Sequence, residues 1–242
     1  MEVINRPDYT EKVKKLFGKG FIIALTGQRR VGKSFIMRQV IKELSQDSAA
    51  HVIYIDKDNE EFSFVQSHEE LTKYVKSNLL SNKRNYLFVD EIQNIKEFEV
   101  SLRSFHTNDE CEMVITGSNA KMLSSELSTY LSGRCVEYHI QSLDYREFLT
   151  FHRLSDNNQS LHSYLKYGGL PQLHRIGLEE TELVDDYLKS VYHTIVLKDV
   201  IEREEIRNVP LLKNLIRFVG DNVGKVFSAS SIVKYLKSQQ VD

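Results

Sequence analysis

The chain has 242 residues, about one and a half times a typical ~150-residue domain, so one full domain and an appendage are expected. With 41% hydrophobic, 27% charged and 10% aromatic residues it can bury a core, which excludes compositional disorder. A formal net charge of -2 excludes a uniformly basic nucleic-acid coat and an acidic solvating tail.

Charge is unevenly placed. Residues 1–42 hold ten Lys/Arg against three Asp/Glu, residues 43–205 sixteen against twenty-nine, and residues 206–242 six against two. Basic ends around an acidic middle give two places for an anion, or simply solvated faces. Cys111 and Cys135 are too few and too far apart for a disulfide framework or a metal knuckle, which fits a reducing, cytoplasmic setting. The N-terminal MEVINRPDYT has no apolar leader, and the compact apolar run Phe21–Leu25 is far short of the ~20 residues that span a membrane, so no membrane partner is expected.

In chain order, Phe21–Leu25 reads as a strand ending in Thr26-Gly27, and Ser34–Leu44 as an amphipathic helix with Ile36, Met37, Val40, Ile41 and Leu44 on one face. His51–Ile55 reads as a second strand, and Ser67–Leu80 as a helix with Glu69 and Glu70 in its first turn. Tyr86–Val89 is a third strand, Glu97–Phe105 a helix, Glu112–Thr116 a strand, Lys121–Leu131 a helix, Val136–Ile140 a strand and Asp144–His152 a helix. Five strands alternating with helices predict a parallel sheet covered on both faces, an α/β fold. Beyond His152 strand signals stop. Ser155–Ser160 reads as a polar linker, and Leu161–Tyr167, Glu180 to about Glu205, Pro210–Asp221 and Ala229–Ser238 read as helices.

Gly27-Gln28-Arg29-Arg30-Val31-Gly32-Lys33-Ser34 matches G-x-x-x-x-G-K-[ST] between a strand and a helix, the context that a P-loop requires. Its glycines let backbone N–H groups curl around phosphate oxygens, Lys33 can reach the β- and γ-phosphates, and the Ser34 hydroxyl can bind Mg²⁺. Arg29 and Arg30 either hold phosphates or form the exposed shoulder of the loop. Tyr86–Val89 ends in Asp90-Glu91, which places a carboxylate for Mg²⁺ (Asp90) next to one that polarises water (Glu91). After the fourth strand, Ser118 of Thr116-Gly117-Ser118-Asn119 is the candidate for sensing the γ-phosphate, and Ser118 or Asn119 can at the same time cap the next helix. Arg134, ahead of the fifth strand, is a candidate finger for a neighbouring subunit's nucleotide, or a surface ion pair. A guanine-reading N-K-x-D is absent, since Asn82-Lys83-Arg84-Asn85 ends in an amide.

GQRRVGKS, YLFVDEIQNI, VITGSNAKML, LSGRCVEYHIQSLDYREF and YGGLP together resemble the AAA_14 group of AAA-type ATPases, which usually continue into a DUF4143 region. The resemblance implies a P-loop NTPase with a five-stranded parallel sheet flanked by helices, the loop strand lying beside the carboxylate strand. It also implies ATP or ADP and Mg²⁺ as ligands, residues Gly27 through Phe35 around the nucleotide, and Arg6-Pro7 at the adenine or ribose. A helical lid and the start of a winged helix follow, giving expected domains at 1–153, 161–205 and 206–242. Relatives of this kind are longer, so the chain reads as truncated. Homo-oligomers are expected, and DNA contact through the C-terminal region of the full-length proteins.

Overall fold

A computed structural model describes residues 4–117, 131, 133–194, 201 and 208–238. It opens with a helix that the sequence reading did not mark, α1 (Pro7–Leu16). The signal was present: Pro7 sits in the first turn, where its missing N–H costs nothing, and Tyr9, Val13 and Leu16 share one face. Strand β1 (Ile22–Thr26) follows, then α2 (Lys33–Leu44), β2 (Ala50–Asp56), α3 (His68–Asn78) and β3 (Arg84–Asp90). Next come α4 (Phe98–Thr107), β4 (Glu112–Thr116), β5 (Cys135–His139), α5 (Tyr145–His152), α6 (Asn158–Tyr167) and the single turn α7 (Leu173–Ile176). The remaining described helices are α8 (Thr181–Val191), α9 (Val209–Asp221) and α10 (Ala229–Ser238). The expected helix over Lys121–Leu131, Leu131 apart, and most of the Glu180–Glu205 helix beyond residue 194 lie outside the described residues.

All five strands are parallel, in the order β2-β3-β4-β1-β5. This corrects one expectation. The phosphate-loop strand β1 is not beside the carboxylate strand β3, because β4 lies between them and pairs with both. Alternation along β1 divides the core: Ile22 and Ala24 join the face covered by α3 and α4, whereas Ile23 and Leu25 join the face covered by α1 and α2. Both faces are apolar, so β1 is buried along its whole length, as a central strand with helices on each side must be.

The polar stretch Ser155–Ser160 is helix-capping sequence rather than a linker. Asn157 accepts the Ser160 N–H at 2.9 Å to start α6, and the Ser160 hydroxyl donates to the Ser155 carbonyl at 2.7 Å. Helices α5 and α6 pack through Phe148, Tyr145 and Tyr164. The first compact unit accordingly runs to Leu178, and the second spans Glu179–Asp242. Within the second unit α9 and α10 pack on each other, with Phe218 against Phe227 and Tyr235.

Candidate nucleotide site

The carboxyl ends of β1, β3 and β4 gather the sequence-marked chemistry at one edge of the sheet. Between β1 and α2 the chain turns through Gly27 and Gly32, both at positive φ (136° and 102°). A side chain at Gly27 would place its Cβ 2.2 Å from the Ile140 carbonyl oxygen, so only glycine fits there. Arg30 also lies in the left-handed region, at φ 67°. Gln28, Arg29 and Arg30 are exposed, whereas Val31 is buried in the core. Gly32 starts α2 without a side-chain cap, in contrast to the capping boxes of α3 and α5. The first turn of α2 thus keeps N–H groups to offer an anion.

Lys33 is 4% exposed and folds back over the loop, its Nζ donating to the carbonyls of Gly27 (2.9 Å) and Gln28 (3.0 Å). Burial lowers its pKa from the ordinary lysine value, and the charges of Glu91 and Asp90 oppose that shift. Ser34 Oγ donates to Asp90 Oδ1 at 3.0 Å. Phe35, 40% exposed, lies under the Arg175 guanidinium at 5.3 Å.

The interposed strand β4 supplies a residue that the sequence reading passed over. Thr116, fully buried at its end, donates to Asp90 Oδ1 and accepts the Glu91 N–H at 2.9 Å. One hydroxyl therefore positions both carboxylate residues. The readable signal is a hydroxyl residue closing the apolar run Met113–Ile115, two residues before Ser118. Ser118 itself lies outside the described residues. On the other side of β3, in register with Asp90, stands Asp56 of β2. The Tyr54 hydroxyl lies 3.2 Å from Asp56 Oδ2 and 3.4 Å from Asp90 Oδ2, and Arg38 of α2 donates to both Tyr54 and Asp56. Burial pushes the Tyr54 phenol up to about 12. Glu91 sits just past β3 with φ 54°, its carboxylate accepting from the Gln93 amide.

A family model described as an AAA domain (AAA_14) matches residues 19–149. The chain belongs to the AAA_14 family. The sheet, phosphate-loop turn and carboxylate strand of this AAA domain are thus those of a nucleotide-binding, ATPase-like α/β fold. Where the sequence led to an expectation of DUF4143, the model that matches residues 158–242 is DUF8612, a domain of unknown function. An uncharacterized protein of Haemophilus influenzae is 32% identical over 99% of this chain and 61% of its own length. The uncharacterized protein MJ1544 of Methanocaldococcus jannaschii is 28% identical over 89% of this chain and 50% of its own. The AAA chain thus spans about half to three-fifths of these curated relatives. Among solved structures, the S. cerevisiae Hsp104-ADP complex aligns with TM-score 0.53 and 16% identity over 99% of this chain and 38% of that one. The S. cerevisiae Hsp104:casein complex in its extended conformation aligns with TM-score 0.52 and 15% identity over 76% of this chain and 38% of that one. These likenesses are likenesses of fold.

Two further sequence candidates are Arg134 and Arg6. Arg134 is at the opposite edge of the sheet from the loop: its carbonyl accepts the Ile22 N–H at the start of β1, and the residue borders a depression along α4 with Val100, Arg103 and Thr107. The five residues of β1 put it roughly 16 Å from the loop, at ~3.3 Å per residue. Arg6, with Pro7 opening α1, is 3% exposed, and its guanidinium is engaged by protein groups, Glu147 above all. The YGGLP segment comes against the loop: a Cβ on Gly169 would lie 2.1 Å from the Leu143 carbonyl oxygen, and Pro171 lies beside Gly32. Among the described residues no cluster of His, Cys, Asp or Glu could hold a metal ion by itself, and no helix is long and apolar enough to cross a membrane.

Proposed function

We propose that this AAA domain binds ATP and hydrolyses it with Mg²⁺. The observation that carries the reading is the hydrogen bond from Ser34 to Asp90, which joins the phosphate loop to the carboxylate strand across fifty-six residues, with Lys33 and Glu91 in the same site. On ATP binding, Lys33 would exchange the Gly27 and Gln28 carbonyls for β- and γ-phosphate oxygens, and the N–H groups from Gly27 to Phe35 would line the phosphates. One hydroxyl and one carboxylate at 3.0 Å fit Mg²⁺, which usually keeps most of its octahedral shell as water and phosphate oxygen; Ser34 and Asp90 would hold it. When bound, the ion would neutralise charge on the phosphates. Glu91 would polarise the attacking water, its backbone held in place by Thr116. Ser118 is assigned to sensing the γ-phosphate from its place after β4. Arg134, at the far edge of the sheet, cannot reach its own loop, so its role as a charge-stabilising finger requires a second copy of the chain.

ATP is preferred to GTP because the guanine-reading acid is missing at Asn85. Helices α9 and α10 are assigned to the beginning of a winged helix, and the coupled partner to nucleic acid or protein in the longer relatives. The test is ATP hydrolysis by wild type and Glu91→Gln with Mg²⁺, over a range of protein concentration, with and without DNA. Turnover in wild type alone, with ATP binding retained in Glu91→Gln, supports hydrolysis. A rate that climbs with concentration supports the Arg134 assignment.

One observation favours a second reading, an ATP-dependent switch with slow hydrolysis. The Gln93 amide donates to one oxygen of the Glu91 carboxylate, a bond that activation of water at that oxygen would have to displace. Tight ATP binding with negligible turnover in both proteins would select this reading.

A further inference from the structure

The resemblance places Arg6 at the adenine or its ribose, but its surroundings give it another task. Its Nε and Nη2 donate to the two carboxylate oxygens of Glu147 at 2.7 and 2.8 Å, a bidentate pair. Its Nη1 donates both to the Val31 carbonyl in the phosphate loop (3.1 Å) and to the Gln141 carbonyl just past β5 (3.0 Å). Its backbone N–H donates to Gln39 of α2, and the Tyr9 ring lies 4.6 Å from the guanidinium carbon. Such a guanidinium has little left to offer a base.

The consequence for the loop follows from peptide geometry. A trans peptide is planar, so the carbonyl of one residue and the N–H of the next point in opposite directions. Holding the Val31 carbonyl on Arg6 therefore fixes the Gly32 N–H to point away from Arg6. The loop is also registered against one backbone segment at two places: Gly27 abuts the Ile140 carbonyl, and Val31 is tied through Arg6 to Gln141. Glu147 sets the plane of the guanidinium and is itself fixed in the capping box of α5, where Asp144 and Glu147 accept each other's N–H.

We infer that Arg6, oriented by Glu147, is a positioning residue that presets the Gly32 N–H for an anionic polyphosphate and does not read the base. The inference rests on the phosphate-binding reading above. The specificity of the site for a triphosphate chain is then partly written ahead of β1, in a residue outside the loop motif.

The test is calorimetric titration of the whole chain with inorganic tripolyphosphate, ATP and GTP, in wild type, Arg6→Lys and Glu147→Gln, at a temperature where all three are folded. Lysine keeps the charge but cannot reproduce the fork, and glutamine keeps the capping box while removing the ion pair. Arg6→Lys is expected to weaken all three ligands by one common factor of about tenfold to a hundredfold, leaving the ATP:GTP ratio unchanged. Glu147→Gln should give a smaller loss in the same proportions, and it serves where Arg6→Lys does not fold. Spectra of ¹⁵N-glycine-labelled protein, with only 11 glycines, should show the Gly32 amide displaced in the ligand-free variants. A variant that loses ATP but binds tripolyphosphate like wild type would make Arg6 a contact to the base or ribose and overturn the inference. Variants that bind all three as wild type does, whatever their melting temperature, would also overturn it and leave the phosphate reading standing. Wild type that binds none of the three would remove both.

Discussion

Replacing Thr116 by valine keeps the shape of a fully buried side chain and deletes only its hydroxyl. The hydroxyl makes two bonds at once, donating to the Asp90 carboxylate and accepting the Glu91 N–H at 2.9 Å. A hydrogen bond to a charged group is worth about 1.5–3 kcal/mol, and a partly buried N–H left without an acceptor costs about 1–3 kcal/mol. Allowing for relaxation of Glu91, whose left-handed backbone then loses its tether, the expected loss is about 3 kcal/mol. In a domain of this size that lowers the melting temperature by roughly 6–12 °C, measured by scanning calorimetry. Thr116→Ser, which restores the hydroxyl without the methyl, should recover most of it. ATP turnover should fall further in Thr116→Val than ATP affinity, because Glu91 is displaced while the loop is not. If Thr116→Val melts with Thr116→Ser, the hydroxyl does not hold the two carboxylate residues, and Asp90 and Glu91 owe their placement to the β3 backbone alone.

Gln93→Ala should raise turnover without changing ATP affinity if the amide restrains Glu91, and steady-state kinetics reads both; an unchanged rate would remove the support for the switch reading. Burial pushes the Cys111 thiol up to about 12 and the Cys135 thiol up to about 11, from an ordinary 9.0. At pH 8 alkylation should therefore be roughly a thousandfold slower at Cys111 and roughly a hundredfold slower at Cys135 than in urea, followed by mass spectrometry. The same shifts fix a sign for stability: both thiols keep their protons longer in the folded state, so stability is intact below about pH 9 and falls as pH rises toward 11–12, observable in urea melts. Gly169→Ala forces a Cβ against the Leu143 carbonyl and should cost about 1–3 kcal/mol while displacing Pro171 from the loop, a change that equal melting temperatures would refute. Arg134→Ala should abolish any concentration dependence of turnover and leave ATP affinity intact, since the residue is at the far edge of the sheet from the loop.

The five strands and the helices between them were legible because β1 to β4 each carry a short apolar run, β5 alternates apolar Val136 and Tyr138 with polar residues, and the helices carry core residues at helical spacing, as Val114 and Ile115 in β4 or Ile36, Met37 and Val40 in α2 show. The order of the strands was not. Periodicity reports which face of an element is buried and says nothing of which strand lies next to which, so β4 between β1 and β3 had to come from the structure. The miss at Thr116 has the same origin, for its importance depends on its two neighbours across the sheet. Arg6 illustrates the other limit: its carboxylate partner is 141 residues away, and no local pattern announces such a pair. The Ser155–Ser160 stretch misled because the residues that cap helices are also the residues that fill linkers.

The two halves of the site are held by different means. The loop is fixed by backbone approach and by Arg6, against the segment that follows β5. Asp90 and Glu91 are fixed by a hydroxyl from β4. The Ser34–Asp90 bond spans the halves, as does the Arg38–Tyr54–Asp56 group from α2 to β2, which reaches Asp90 at 3.4 Å. On the proposed reading a triphosphate would insert between Lys33 and the loop carbonyls that now accept from it, so part of its binding energy would replace existing hydrogen bonds and the remainder would tie loop to carboxylate strand. Any ligand that binds only the assembled site stabilises it by RT ln(1 + [L]/Kd), about 2.7 kcal/mol at a hundredfold excess over Kd. That stabilisation should protect the β3 and β4 amides from hydrogen exchange as much as those of the loop, because on the proposed reading the ligand is held by both halves. Protection confined to residues 27–35 would mean that the ligand sits on the loop alone, and that Asp90 and Glu91 take no part in holding it.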